Sequence, residues 1–546
     1  MHDCLSSSEG SVDETASRVS TEHLAFLDKK NDNSIHLEKE ETSMSKLYSD
    51  PEQRPPVFKT PIQEYLSIFL CIFGPAAASM ASSAYQTLLR ATSVQFNVQG
   101  GQLSWSVSSV MLANGACLLL MGGIADAFGR KNAMIIGFTM YAVFSLIAGF
   151  MNNFVLLCLF RGLQGASVAC ATPASAGFLG STYKDSRCKN MVMSCFSIGA
   201  PVGGASGFFL AGICEVALNW RSTQYFLSIL FAVLAISVFF ILPNDKKINW
   251  QHSKQVFRKM DYLGALLSLA SFTLICFSLT DVDNAEKRWR TPYIIALLIV
   301  GVALIPVFVL YELYIPKEPL MPMQLFRSRN FCLCMCIAGL CWMVFFGFLN
   351  YNAMLYFENI KGYSPIIVAC CFLTQPISGI LVNLFAGFTM HLIPGRIFMA
   401  VGTLGYLGSC IIWSTITVDR DYFLGPFFAF ILTVVGADLI YNISNRVTLS
   451  SLEKHLQSRG AGTFNTLLQL GSATALGFNS TIISSKYAAY GTPQQNDDPQ
   501  GLLDGIKYCW YVGISFAGAA FIISLFLKVG VIGKSENKEE LVEDEQ

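Results

Sequence analysis

Apolar positions run in long blocks along this chain, broken by short polar stretches, from about Gln63 to Val531. Windows of about twenty residues, the length a helix needs to cross the hydrocarbon core, predict membrane spans. They fall at 63–89, 103–124, 133–151, 154–180, 191–214, 222–242, 262–281, 292–314, 331–351, 365–389, 396–416, 423–444, 462–485 and 509–531. The seventh and thirteenth carry more polar residues than the rest. A block such as 154–179 cannot stand in water, and inside hydrocarbon only a closed helix satisfies its own backbone. The expected fold class is therefore an all-α membrane protein with about fourteen transmembrane helices.

Charge placement supports that count. With the N-terminus in the cytosol, loops after even-numbered spans face inward. They carry Arg130, Lys131, Lys184, Arg187, Lys189, Lys246, Lys247, Lys254, Arg258, Lys259, Lys317, Arg327, Arg329, Arg446, Lys454 and Arg459. The opposite loops carry about half as many, as the positive-inside rule expects. An even count leaves both termini cytosolic. Residues 1–60 and 534–546 are polar and read as cytosolic tails, the first without the basic start and short apolar core of a signal peptide. The first tail offers serines for phosphorylation and Lys29, Lys30 and Lys39 for ubiquitin.

Composition removes several classes. Hydrophobic residues make up 53 % and charged residues 14 %, with a net charge of +0, so no basic surface calls for nucleic acid. Most of the seventeen cysteines lie in apolar runs, where they pack as small soft side chains. Helical geometry turns Cys334 away from Cys332 and Cys336, so no metal route is expected, and no cofactor is implied. The six histidines are scattered in tails and loops with no paired nucleophile or acid, which argues against an enzyme. Two glycosylation sequons, at Asn442 and Asn479, fall inside spans and are chance matches.

Ionisable groups inside spans are costly and mark function. Arg161 lies about seven residues into the fourth span, too deep for easy snorkelling, with Gln164 beside it; the expectation is a cavity-facing guanidinium. Asp438, in the twelfth span, is the clearest acid deep in an apolar run. A carboxyl withdrawn from water is a candidate proton carrier. Glu64 and Glu312, near span ends, read as interfacial. Proline and small residues break the first span at Gly74-Pro75 and the tenth at Gln375-Pro376. Gln86, Asn114, Asn350, Asn352, Gln375, Asn383, Asn442, Asn465 and Gln469 are further candidates to line a central site, each with helix-to-helix bonding as its alternative.

Three motifs carry a resemblance. Gly122-Gly123-Ile124-Ala125-Asp126-Ala127-Phe128-Gly129-Arg130-Lys131 resembles the signature between spans two and three of the major facilitator superfamily, with Ala127 where a basic residue is common. Arg161-Gly162-Leu163-Gln164-Gly165 resembles the fourth-span motif whose arginine is implicated in proton coupling. Gly199-Ala200-Pro201-Val202-Gly203-Gly204 is similar, one position out of register, to the fifth-span helix-bend motif of antiporters. With about fourteen spans, the chain resembles the fungal drug:proton antiporter family 2. The segments at Gln63-Glu64-Tyr65-Leu66, Met260-Asp261-Tyr262-Leu263-Gly264 and Gly436-Ala437-Asp438-Leu439 resemble its branch of aminotriazole and boron resistance exporters, which includes a low-affinity ammonium transporter. Many members carry an Asp in the first span; Ser79 to Thr87 has no acid.

The resemblance implies two six-helix bundles, 61–243 and 331–533, with two inserted helices in a linker at 244–330. It implies proton-coupled efflux of a small solute, drug or toxic compound by alternating access. Arg161, Gln164, Asp438, Gln375, Asn114 and Asn350 would serve coupling and substrate. Gly122, Asp126, Gly129, Arg130 and Lys131 would form the gating motif, and Pro201, Gly203 and Gly204 the helix bend. The implied partners are a small-molecule substrate, protons and the lipid bilayer, for a monomer in the plasma membrane rather than the vacuole. Two alternatives stay open: an uncoupled facilitator for ammonium or boric acid, and a non-transporting nutrient sensor.

Overall fold

The computed structural model describes residues 54–530, apart from short stretches at 99, 184–186, 245–253, 255, 259, 283–284, 286, 317–318, 322, 391, 451–456, 488 and 491–497. The tails 1–53 and 531–546, with Lys29, Lys30 and Lys39, lie outside the described residues, as do the loop cations Lys184, Lys246, Lys247, Lys259, Lys317 and Lys454. Among the described residues the chain is helical and thirteen helices are long and apolar enough to cross a membrane. One further helix, Gln457–Lys486, has the length but more polar residues. It is the thirteenth span of the sequence pattern.

In chain order spans 1–8 are Pro61–Thr87, Gly101–Phe128, Arg130–Phe150, Phe154–Thr182, Arg187–Ala217, Trp220–Ile241, Tyr262–Asp281 and Pro292–Tyr314. Spans 9–14 are Arg329–Ile360, Pro365–Thr389, Gly395–Ser414, Pro426–Ser450, Gln457–Lys486 and Pro499–Leu525. Starts are set by ordinary capping: Thr60, Asn153, Asn219, Asp261 and Asp498 each accept a backbone N–H of their first turn. Two spans depart from the sequence pattern. Span 9 runs on through Tyr356–Ile360, and span 14 begins at Pro499. Span 9 also contains two π-helical stretches, Val344–Asn350 and Tyr356–Ile360.

One apolar core is built from spans 1 to 6 and a larger one mainly from spans 9 to 14. The two groups meet along two seams. At one, span 2 packs on span 13, and Thr466 Oγ1 donates to the Gly115 carbonyl at 3.0 Å. At the other, span 5 packs on span 10, where the Phe208 and Phe372 rings lie 4.5 Å apart. Span 7 sits against spans 2, 8 and 13. It is bonded to both groups: Trp105 Nε1 donates to Thr280 Oγ1 (2.7 Å), and Thr481 Oγ1 donates to the Leu279 carbonyl (2.7 Å). Span 8 packs on span 7 and buries only 11 % of its most apolar window, the signature of a helix bathed in lipid.

Candidate functional site

The Arg161 cluster is set by how closely spans 4 and 2 approach. Gly165 has no room for a Cβ, which would stand 2.2 Å from the Val110 carbonyl oxygen. One turn earlier on each helix, Arg161 Nε donates to the Ser106 carbonyl at 3.0 Å. Its Nη2 donates to the Ala81 carbonyl of span 1 (2.9 Å) and its Nη1 to Gln164 Oε1 (3.0 Å). The guanidinium lies 4.0 Å from the Tyr85 ring centroid. Gln164 Nε2 donates to Gln224 Oε1 of span 6, which also accepts from Ser145 Oγ of span 3. Arg161 is 0 % exposed. It does not snorkel, and in this conformation it does not face a cavity either. A planar fork of donors suits three acceptors on three helices, one for each nitrogen.

Asp438 has a different setting. It is half-buried on span 12, with one carboxylate oxygen, Oδ2, buried and without a hydrogen-bond partner. That oxygen points at Gly379 of span 10, 3.1 Å from where a Cβ would be. Asn442 Nδ2 donates both to the Asp438 carbonyl and to Asn383 Oδ1 (2.8 Å each), and Asn383 Nδ2 donates to the Gly379 carbonyl. No ion pair reaches Asp438 among the described residues.

The remaining candidates divide between sites. Gln375 Nε2 donates to Asn350 Oδ1 at 2.6 Å, joining spans 10 and 9. Asn114 lies at the seam of spans 2 and 13, with a buried Oδ1 that has no partner. Asn352 and Asn479 exchange two bonds, at 2.7 and 3.0 Å, so this pair is helix-to-helix glue. Asn479 is 0 % exposed, beyond reach of glycosylation. Arg161 and Asp438 belong to separate clusters with no bond between them.

In the gating motif, Gly129 takes φ 93°, a left-handed conformation that favours glycine. The turn aims Arg130 Nη1 at the Gly177 carbonyl (2.6 Å) and Lys131 Nζ at the Leu242 carbonyl (2.7 Å) and Asn244 Oδ1 (2.9 Å). Both cations thus tie the loop to spans 4 and 6. Gly122 meets only Pro173, at ordinary contact distance. The Asp126 side chain lies outside the described residues. In the helix-bend motif, Pro201 lies within span 5, and Gly203 presses on Ala76 of span 1, whereas Gly204 has open space. Gly199 and Gly207 also abut span 1, so the working pattern is a small residue every fourth position.

The sequence reading missed two acids, Glu215 and Glu358, and the cation Arg90, and it did not join Glu312 to Asp261. Glu312, two residues from the end of span 8, is 3 % exposed, and its carboxyl meets that of Asp261, the cap of span 7. Packing of span 8 on span 7 encloses both, and Tyr311 donates to Asp261 Oδ1 at 2.7 Å. At the far end of spans 5, 9 and 1, Arg90 Nη1 reaches the Glu358 carbonyl at 3.4 Å, and Glu215 lies within electrostatic range of both. The apolar windows ended before both acids, which hid them.

Two helical groups meeting along two seams, with polar clusters inside each group, define a polytopic membrane carrier. The Major Facilitator Superfamily profile matches residues 69–476, and the chain belongs to that family. It is a multi-pass membrane transporter of small molecules and not an enzyme. It is 26 % identical over 478 residues to the aminotriazole resistance protein of Saccharomyces cerevisiae, covering 86 % of this chain and 85 % of that one. It is 27 % identical over 445 residues to the low affinity ammonium transporter of the same yeast (80 % and 83 % covered). It is 25 % identical over 434 residues to the multidrug transporter mdr3 of Aspergillus fumigatus (78 % and 72 % covered). Among solved structures, the POT family transporter PepTSo superposes with a TM-score of 0.59 at 15 % identity, covering 86 % of this chain and 97 % of that one. The nucleoside transporter NupG gives 0.52 at 13 % identity (85 % and 98 % covered).

Proposed function

We propose that the chain exports a small solute or toxic compound from the cytosol in exchange for protons, by alternating access between the bundles 61–243 and 331–533. The termini lie in the cytosol, the membrane is the plasma membrane, and the carrier works as a monomer. Asp438 is the proton carrier. What carries the reading is its buried carboxylate oxygen, unpartnered and without a counter-cation among the described residues. Such a group is costly as an anion and inexpensive as an acid, so protonation can change what it binds. Gln375, Asn350 and Asn114 supply polar anchors for substrate. Arg161 with Gln164 holds the first bundle in one arrangement while the other side moves. The likeness to a multidrug transporter and an aminotriazole resistance protein supports export.

The test is uptake of candidate compounds into inside-out vesicles under an imposed pH gradient. Asp438→Asn is expected to abolish gradient-driven flux while the protein still folds; wild-type flux in that variant removes Asp438 from the mechanism. A second reading, an uncoupled path for ammonium or boric acid, is favoured by the absence of an acid from the stretch 79–87 of the first span and by the likeness to an ammonium transporter. Counterflow of methylammonium that persists without any proton gradient selects it.

A further inference from the structure

Spans 1, 5 and 9 all end on the face opposite the start of span 1, and each end brings one charge. Arg90 lies on the short helix Leu89–Phe96 that follows span 1, Glu215 in the last turn of span 5, and Glu358 in the terminal π-helical turn of span 9. Glu215 therefore belongs to the first bundle and Glu358 to the second. The bundles are closed on this face: besides the Phe208–Phe372 contact, a Cβ on Gly212 would stand 3.0 Å from the Pro365 carbonyl.

Glu358 is 2 % exposed, and its Oε1 is buried without a hydrogen-bond partner. Glu215 Oε2 is also buried and unpartnered. Among the described residues, the charged groups acting on Glu358 are Glu215 and Arg90, and Arg90 acts on Glu215. Tyr351, on span 9 itself, is a further titratable group that interacts with Glu358. Arg90 Nη1 approaches the Glu358 backbone carbonyl at 3.4 Å, and no ion pair joins it to either carboxylate among the described residues.

Charge balance then decides the state. Two carboxylates face one guanidinium, so one negative charge is left over, with Glu358 buried in the seam, Glu215 half-buried and Arg90 exposed at its rim. Neighbouring carboxylates, one of them withdrawn from water, resist ionising together. We propose that Glu215 and Glu358, with Arg90, form a latch between the two bundles that takes up one proton from the face opposite the termini when it closes and releases it there when it opens. Closed, the pair holds the proton; open, both carboxyls are hydrated and let it go. Acid on that face therefore favours the closed form, and alkali favours opening. The inference rests on the alternating bundle movement proposed above and does not rest on Asp438.

The test reads conformation, not transport. Spin labels are placed at Gln95→Cys and Ser364→Cys, both exposed on that face, in a background whose native cysteines are replaced. The long-distance population is expected to grow with pH, by up to about tenfold per pH unit for one linked proton. Glu358→Gln and Glu215→Gln, which carry a neutral amide in place of the acid, are each expected to stay closed in alkaline buffer and lose most of the pH response. A wild type indifferent to pH, or both variants responding fully, overturns the latch. So does a shift that follows sodium or potassium at constant pH. Repeating the series in Asp438→Asn separates the two readings. A response that survives there supports the latch even if Asp438 plays no part in transport, and one lost there but kept in Glu358→Gln overturns it.

Discussion

A guanidinium in the middle of an apolar helix is tolerated only where its nitrogens find acceptors, and each of the three Arg161 nitrogens donates one bond, two to backbone carbonyls and one to a glutamine. Its removal strips charge-assisted bonds from three helices at once. Arg161→Ala is expected to destabilise the protein by about 3 kcal/mol or more. Arg161→Lys is expected to recover only a minority of that, since an ammonium cannot span the same fork. Thermal unfolding in detergent checks both, and a lysine variant as stable as wild type would show that the fork is unimportant. The sequence marked Arg161, Gln164 and Asp438 as unusual because charge and amide groups stand out in an apolar run. It did not show what they touch. Gln224, the hub between Gln164 and Ser145, carries no such signal, because one glutamine near a span start looks interfacial.

At the level of the helix, close packing is decided by where small residues fall on one face. Gly199, Gly203 and Gly207 line the side of span 5 that presses on span 1, and Gly204 points elsewhere. Gly203→Ala is expected to cost about 1–3 kcal/mol through overpacking. Gly204→Ala is expected to be neutral or slightly stabilising, because alanine is the better helix former. The two variants, compared by unfolding temperature, reverse the weight that motif matching gives to the adjacent pair. Hydropathy located the helices well, most ends falling within a few residues. It failed where polar and aromatic residues continue a helix past the apolar run. Tyr356 to Ile360 extends span 9, and Pro499 opens span 14 ten residues early. Span 13 carries Asn465, Thr466 and Gln469 because it packs on span 2 rather than on lipid, which is also why it looked weak.

For the whole molecule, alternation of positive charge along the loops anticipated an even number of spans. The pairing of spans across the seams was not legible, since it depends on which faces meet rather than on where helices begin. The contact of Phe208 with Phe372 gives that pairing a direct test. Phe208→Cys with Phe372→Cys, in the cysteine-replaced background, is expected to be joined by a short bifunctional thiol reagent. Turnover is then expected to stop, and cleavage of the linker to restore it. Full flux in the joined protein would mean that spans 5 and 10 never part.

Span 7, bonded to span 2 on one flank and to span 13 on the other, covers one of the two seams along its length. A compound dissolved in the bilayer therefore meets a walled side there, with span 8 as its outer facing. The other seam, between spans 5 and 10, has no such cover among the described residues and is shut by the two spans alone, with Phe208 on Phe372.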